Sequence, residues 1–135
     1  MKVEIKVEYH KDTKTISKMT PYVNGVIHSS VNCWYINGKR MYRVKYVNGI
    51  TQGNQFVWMS GSYPSHVIPF VNGKRNGRLK HYKNGILVYE NDYKNDIADG
   101  LAIHRFYLYE IRRGNLFLLE TRKLGIRNGV EIGIR

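Results

Sequence analysis

Hydrophobic and polar residues alternate with a period of two along much of this chain. Residues 2–9 show the pattern cleanly, with Val3, Ile5, Val7 and Tyr9 on one side and Lys2, Glu4, Lys6 and Glu8 on the other. That period is the signature of a strand whose two faces meet different surroundings. Later segments are rich in Val, Ile, Tyr, Phe and Trp and carry no long stripe of period 3.6, so strands are predicted throughout. Two of the three prolines, Pro64 and Pro69, fall in one predicted strand at 63–71 and mark it as weakened or bulged. The long apolar run Leu101–Ile111 is read as part of a strand pair turning at Arg113-Gly114-Asn115, with a short helix near 97–110 as the competing reading.

Punctuation between these segments is regular. Seven of the 13 glycines directly follow asparagine, at Asn24, Asn37, Asn48, Asn72, Asn76, Asn84 and Asn128. Asn-Gly is the preferred pair for a two-residue type I′ hairpin turn, in which both central residues take positive φ. With Ser60-Gly61 filling one gap and Asn95-Asp96 extending the series, turns recur about every 12 residues. That spacing predicts an antiparallel β-meander.

Pairing the turns two by two exposes a longer period. Tyr22-Val23-Asn24-Gly25, Tyr46-Val47-Asn48-Gly49 and Phe70-Val71-Asn72-Gly73 recur every 24 residues, and Tyr93-Lys94-Asn95-Asp96 follows 23 later. Twelve positions into successive units stand Trp34, Trp58 and Tyr82; seven positions in stand Ser29, Gly53, Gly77 and Gly100. Such self-similarity marks a repeat architecture.

Propagating the alternation from Asn24-Gly25 sorts side chains onto two faces. One collects Tyr22, Ile27, Val31, Cys33, Tyr35, Tyr42, Val44, Tyr46, Val57, Met59, Ile68 and Phe70. The other collects Val26, His28, Asn32, Trp34, Lys39, Met41, Arg43, Lys45, Gln52, Phe56, Trp58 and Val67. The first is largely apolar and calls for a cover: the segment Leu101–Leu119, closure of the sheet, a second copy or a partner. The predicted fold is therefore an all-β, open, single-layer sheet of tandem hairpins of about 24 residues, with an up-and-down β-barrel as the alternative.

Length and charge narrow the picture. The 135 residues suit one domain, divided into an N-terminal strand pair (1–21), the hairpin repeats (22–100) and C-terminal strands capping the sheet (101–135). Lys and Arg number 22 against 10 Asp and Glu, a formal net charge of +12. With 42% hydrophobic residues the chain is too apolar for a disordered basic tail. No apolar run is long enough for a transmembrane helix, and the alternating N-terminus does not resemble a signal peptide. A soluble, cytoplasmic protein is expected; the Asn-, Ile-, Lys- and Tyr-rich composition also suits an AT-rich viral or phage genome, and so a virion component or a protein of the infected host cell.

Candidate chemistry is sparse. Cys33, the single cysteine, excludes an internal disulfide and reads as a structural thiol, with His66 able to share its face. The five histidines lack metal-site spacing, so no metal or cofactor is expected. Glu90, Asp92, Asp96 and Asp99 form the densest acidic cluster and read as neutralising nearby lysines. No catalytic residue is assigned. The aromatic ladder stabilises the sheet first, although the same residue types could stack bases. The positive charge favours an acidic protein, nucleic acid or anionic lipid.

The tandem units, reading aromatic-x-Asn-Gly, then a glycine four residues on, then an aromatic and a second Asn-Gly turn, resemble MORN-type repeats. They are most similar to the divergent bacterial and viral branch often described as antitoxin-like. The resemblance covers residues 22–100, with echoes in Lys123–Gly129, and is closest at Phe70–Gly77. The usual Gly-x-Gly run and Trp-x-x-Gly ending are missing. The resemblance implies an elongated sheet of hairpins used for binding, with no family active site. The expected function is a non-catalytic interaction or assembly module for a protein partner or a second copy. Its binding residues would be Trp34, Lys39, Arg43, Lys45, Trp58, Lys74, Arg75 and Arg78. Direct nucleic-acid binding on the same face is the alternative.

Overall fold

Five of the seven Asn-Gly pairs make the turn their chemistry predicts. At Asn24, Asn48, Asn72, Asn84 and Asn128 the asparagine has φ near +50° and the following glycine φ near +80°, and Asn95-Asp96 does the same without a glycine. The other two pairs behave differently. At Asn37-Gly38 only the glycine is left-handed. Gly38 donates to the Tyr35 carbonyl at 2.9 Å and Tyr35 to the Lys39 carbonyl at 2.8 Å, so the connection is a three-residue loop with a glycine bulge. Asn76-Gly77 is no turn at all; it lies inside a returning strand.

The computed structural model describes residues 1–59, 61–110 and 115–134. Their strands are β1 (Val3–Tyr9), β2 (Ile16–Val23), β3 (Val26–Ile27), β4 (Ser29–Trp34), β5 (Arg40–Val47), β6 (Ile50–Thr51), β7 (Gly53–Val57), β8 (His66–Val71), β9 (Lys74–Arg75), β10 (Gly77–Lys83), β11 (Ile86–Lys94), β12 (Ile97–Ala98), β13 (Gly100–Glu110), β14 (Asn115–Arg127) and β15 (Val130–Ile134). The competing helix at 97–110 is replaced by β12 and β13. Ser60 of the Ser60-Gly61 turn and Arg113-Gly114 of the predicted C-terminal reversal lie outside the described residues.

All strands join one antiparallel sheet in the order β1-β2-β4-β5-β7-β8-β10-β11-β13-β14-β15. The two-residue strands β3, β6, β9 and β12 pair β2, β5, β8 and β11 beside their turns. The sheet is open: β1 and β15 are its two edges and do not pair with each other. The substantial contacts between elements all join strands adjacent in the sheet. β13–β15 therefore extend the sheet at its end and do not lie over its apolar face. β2 runs through Val23 and so belongs to both the N-terminal pair and the first repeat.

Each returning strand is interrupted at one place. Between the pairs Tyr22↔Ile27 and Met19↔Asn32, β2 advances three residues while its partner advances five. The same three-against-five step recurs between Tyr46↔Thr51 and Arg43↔Phe56, Phe70↔Arg75 and Val67↔Lys80, and Tyr93↔Ala98 and Glu90↔Ile103. The kink residues are Ser29, Gly53, Gly77 and Gly100, all at positive φ between 81° and 122°. These are the small residues seven places into each unit. Opposite them stand the repeated aromatics: Ser29↔Tyr46, Gly53↔Phe70 and Gly77↔Tyr93. The two strongest marks of the 24-residue period are thus partners in single cross-strand pairs.

Prolines fit the same scheme. Pro21 and Pro69 occupy equivalent positions opposite a kink, where their carbonyls accept from the His28 and Asn76 amides at 3.2 and 3.0 Å. The ladder is interrupted there, so a ring nitrogen with nothing to donate costs little. Packing is thin, as a single layer requires. Among the described residues Val31, Cys33, Val44, Trp58 and Ala102 are the buried apolar ones, and no large side chain is fully enclosed.

Candidate interaction face

Register now assigns each side chain to a face, because directly paired residues point the same way. Two rows cross ten strands of the sheet side by side. One runs Glu8, Lys18, Cys33, Tyr42, Val57, His66, His81, Tyr89, His104, Arg122. The other runs Val7, Met19, Asn32, Arg43, Phe56, Val67, Lys80, Glu90, Ile103, Lys123. The paired members of the predicted apolar set fall on the first face. It also carries the buried pair Val31↔Val44. Tyr35 and Met59 lie in connections and belong to neither ladder.

Cys33 is buried beside Tyr42. Burial and the Cys33 sulfur push the Tyr42 hydroxyl up to about 12. His66 does share the face of Cys33, yet it lies three strands further along the row, about 14 Å away at ordinary strand spacing. That separation rules out a thiol–imidazole pair.

His66 instead meets His81. Their rings stack at 4.3 Å and 8° between planes, and the Ser65 hydroxyl lies 2.9 Å from His66 Nδ1. Burial and the neighbouring imidazole lower the His66 pKa. Further along, Tyr89, His104 and Phe106 pack in sequence, with ring centroids 5.7 and 4.4 Å apart. Beside them opens a cavity of about 740 Å³ whose lining, among the described residues, includes His81, Lys83, Ile86, Tyr89, His104 and Phe106 and no carboxylate. Among the described residues no group of three metal-ligating side chains converges.

The acidic cluster neutralises arginines, where lysines were expected. Glu90 has a side chain only 10% exposed and takes Arg78 Nε on one oxygen and Arg105 on the other, the latter at 2.6 Å. Arg78 also reaches Asp92 at 2.9 Å and the Leu101 carbonyl at 3.2 Å. Burial alone would raise the Glu90 pKa; the two guanidiniums outweigh it and hold the carboxyl below its usual range. Asp96 accepts the Arg75 amide at 2.7 Å and its Nε at 3.3 Å, while the Arg75 guanidinium lies 4.5 Å from the Tyr93 ring.

The eight predicted binding residues therefore divide. Arg43 and Lys45 on β5 and Lys74 on β9 are exposed on the second face. Lys39 is exposed in the loop before β5. Arg78 shares the second face, but its guanidinium is held by Glu90 and Asp92. Arg75 pairs with Phe70 and so lies on the first face, against Asp96. Trp58 is buried, with Arg40 stacked 5.6 Å above it and its carbonyl accepting from the Tyr35 hydroxyl at 2.6 Å. Trp34 is half-buried, its carbonyl 2.9 Å from His10 Nε2.

Two features of this face were missed from sequence. Lys80 joins it through the pair Val67↔Lys80. An exposed apolar strip, Val26, Val47, Ile50 and Val71, runs beside the lysines at the turn edge. Turns dock onto the preceding unit to make the strip continuous: Gly49 donates to the Ile27 carbonyl at 2.7 Å and Gly73 to Thr51 at 2.9 Å. A readable signal existed. Residues 13–89 contain 11 Lys and Arg and no Asp or Glu.

No protein-family model matches the chain, and no curated protein matches it in sequence. The likeness to MORN repeats rests on the turn and aromatic skeleton alone. Among the described residues no helix is long and apolar enough to cross a membrane.

Proposed function

We propose that this protein is a non-catalytic interaction module that binds an acidic, partly apolar protein surface on its second face. One observation carries the reading: exposed Arg43, Lys45 and Lys74 stand beside exposed Val26, Val47, Ile50 and Val71, in a stretch of chain without a single carboxylate. Interspersed cations and aliphatic side chains complement a protein surface with carboxylates around an apolar centre. Nucleic acid is served less well. A base-stacking platform needs open aromatic faces, whereas Trp58 is buried and Trp34 and Phe56 are half-covered.

The test compares three proteins in capture and crosslinking from their native source at moderate salt: the natural chain, K45E/K74E and V47S/I50S. A protein partner crosslinked to Lys45 or Lys74 and lost in both variants supports the reading. Retention that depends on the lysines alone, survives V47S/I50S and falls steeply with salt would replace it with direct nucleic-acid binding.

A further inference from the structure

One edge of the sheet is written in a self-complementary code. β1 begins the strand order, and among the described residues only its β2 side is paired. Lys2 turns both backbone groups toward β2, donating to Asn24 Oδ1 at 2.9 Å and accepting from the Asn24 amide at 2.8 Å. Alternation then points Glu4, Lys6 and Glu8 the same way and leaves the N–H and C=O of Val3, Ile5 and Val7 directed at the open edge. The ladder is regular from Val3 to Glu8, with its irregularity only at Glu8/Tyr9. Val3 and Ile5 are more than half exposed and share the second face with Met19, Pro21 and Val23.

From this we infer that β1 pairs antiparallel with β1 of a second copy, centred on Ile5, so that two sheets become one. In that register Val3 meets Val7 of the second copy and Ile5 meets Ile5, all through outward-facing backbone groups that would form six hydrogen bonds. Lys2 meets Glu8 and Glu4 meets Lys6, twice each across the two-fold axis. These charges occupy the non-hydrogen-bonded sites, where cross-strand side chains come closest. Sliding one strand by two residues sets Lys2 against Lys6 and Glu4 against Glu4, or Glu4 against Glu8 and Lys6 against Lys6. Every charge that still faces another charge is then mispaired, so the register centred on Ile5 is favoured over both slips. Sheet edges usually repel copies of themselves through charge; here the alternating signs do the opposite. The interface is isologous and closes as a dimer. It does not depend on the proposed partner-binding reading, whose lysines lie on other strands.

Charge exchange tests it. Sedimentation equilibrium at tens of micromolar should give twice the chain mass for the natural protein. K2E/K6E makes the row wholly acidic and E4K/E8K makes it wholly basic. Each should weaken self-association by at least about tenfold through like-charge pairs, and an equimolar mixture of the two should restore a dimer containing one of each. Ile5→Pro removes a donor that faces the open edge and leaves the β2 ladder intact, so it should give a monomer with an unchanged circular dichroism spectrum. A monomeric natural protein overturns the inference. So does a dimer that persists in I5P and in both charge variants.

Discussion

At the scale of single residues, backbone conformation rather than side-chain chemistry constrains this protein most. Gly100 sits at φ +122°, and a β-carbon there would lie 2.9 Å from the β-carbon of Asp92, itself a partner of Arg78. Gly100→Ala should therefore cost about 1–3 kcal/mol in denaturant unfolding. Ser29 is the one kink residue with a side chain at positive φ, +81°. Ser29→Gly should stabilise by about 0.5–1 kcal/mol, relief of strain outweighing the added freedom of the unfolded chain. Glu90 supplies a test through its charge. Its folded pKa lies below the unfolded one, so its contribution is complete above the unfolded carboxyl pKa and is lost as pH falls through the folded value. Glu90→Gln should cost about 1.5–3 kcal/mol at pH 7 and flatten the dependence of stability on pH below about 4.5.

Elements were legible in the sequence where their cause is local. Asn at φ near +50° followed by Gly is a property of two residues, and the hairpins that follow need nothing else. The identical dipeptide at Asn76-Gly77 makes no turn, because its setting is a kink opposite Tyr93 rather than a chain reversal. The repeat of small residues was visible, yet a composition pattern does not announce that the backbone turns left-handed there. Face assignments survived because each kink inserts two residues, an even number that keeps the alternation in phase. The division of the basic residues was not legible. Arg75 and Arg78 look like Lys74 and Lys80 until the acids on β11 and the following turn are brought alongside. The His66–His81 contact was equally hidden, since it depends on the kink at Gly77, which moves β10 two residues along β8 and so sets His81, rather than Leu79, against His66. That contact predicts a pH response. The His66 pKa is lowered in the fold, so between that value and the ordinary histidine value of about 6.5 the unfolded state binds more protons. Stability should fall as pH drops from 7.5 to 5.5. His81→Gln should shrink this slope in thermal melts, because the neighbouring imidazole that opposes protonation is gone.

Over the whole molecule, neighbour-only contacts make stability nearly one-dimensional. Strands touch substantially only those beside them, and units differ by a translation of 24 residues, so a unit should be removable without disturbing the rest. Deleting residues 49–72 joins Asn48 to Gly73 and keeps an Asn-Gly turn. β9 and β10 then take the places of β6 and β7 against β5. Tyr46 keeps its small cross-strand partner Ser29, while Arg75 replaces Thr51 opposite Tyr46 and Gly77 takes the kink position near Lys45 that Gly53 held. The shortened chain should fold to an all-strand circular dichroism spectrum and melt cooperatively. Its calorimetric unfolding enthalpy should fall by about 17 kcal/mol near 60 °C, the share of 24 residues. Deleting 12 residues instead removes a single strand. The next strand then meets its neighbour in the parallel direction, for which a two-residue turn cannot provide the crossover. That variant should lose the cooperative transition. If both deletions melt alike, contacts beyond adjacent strands hold the sheet together, and the repeat is a feature of sequence without being the unit of folding.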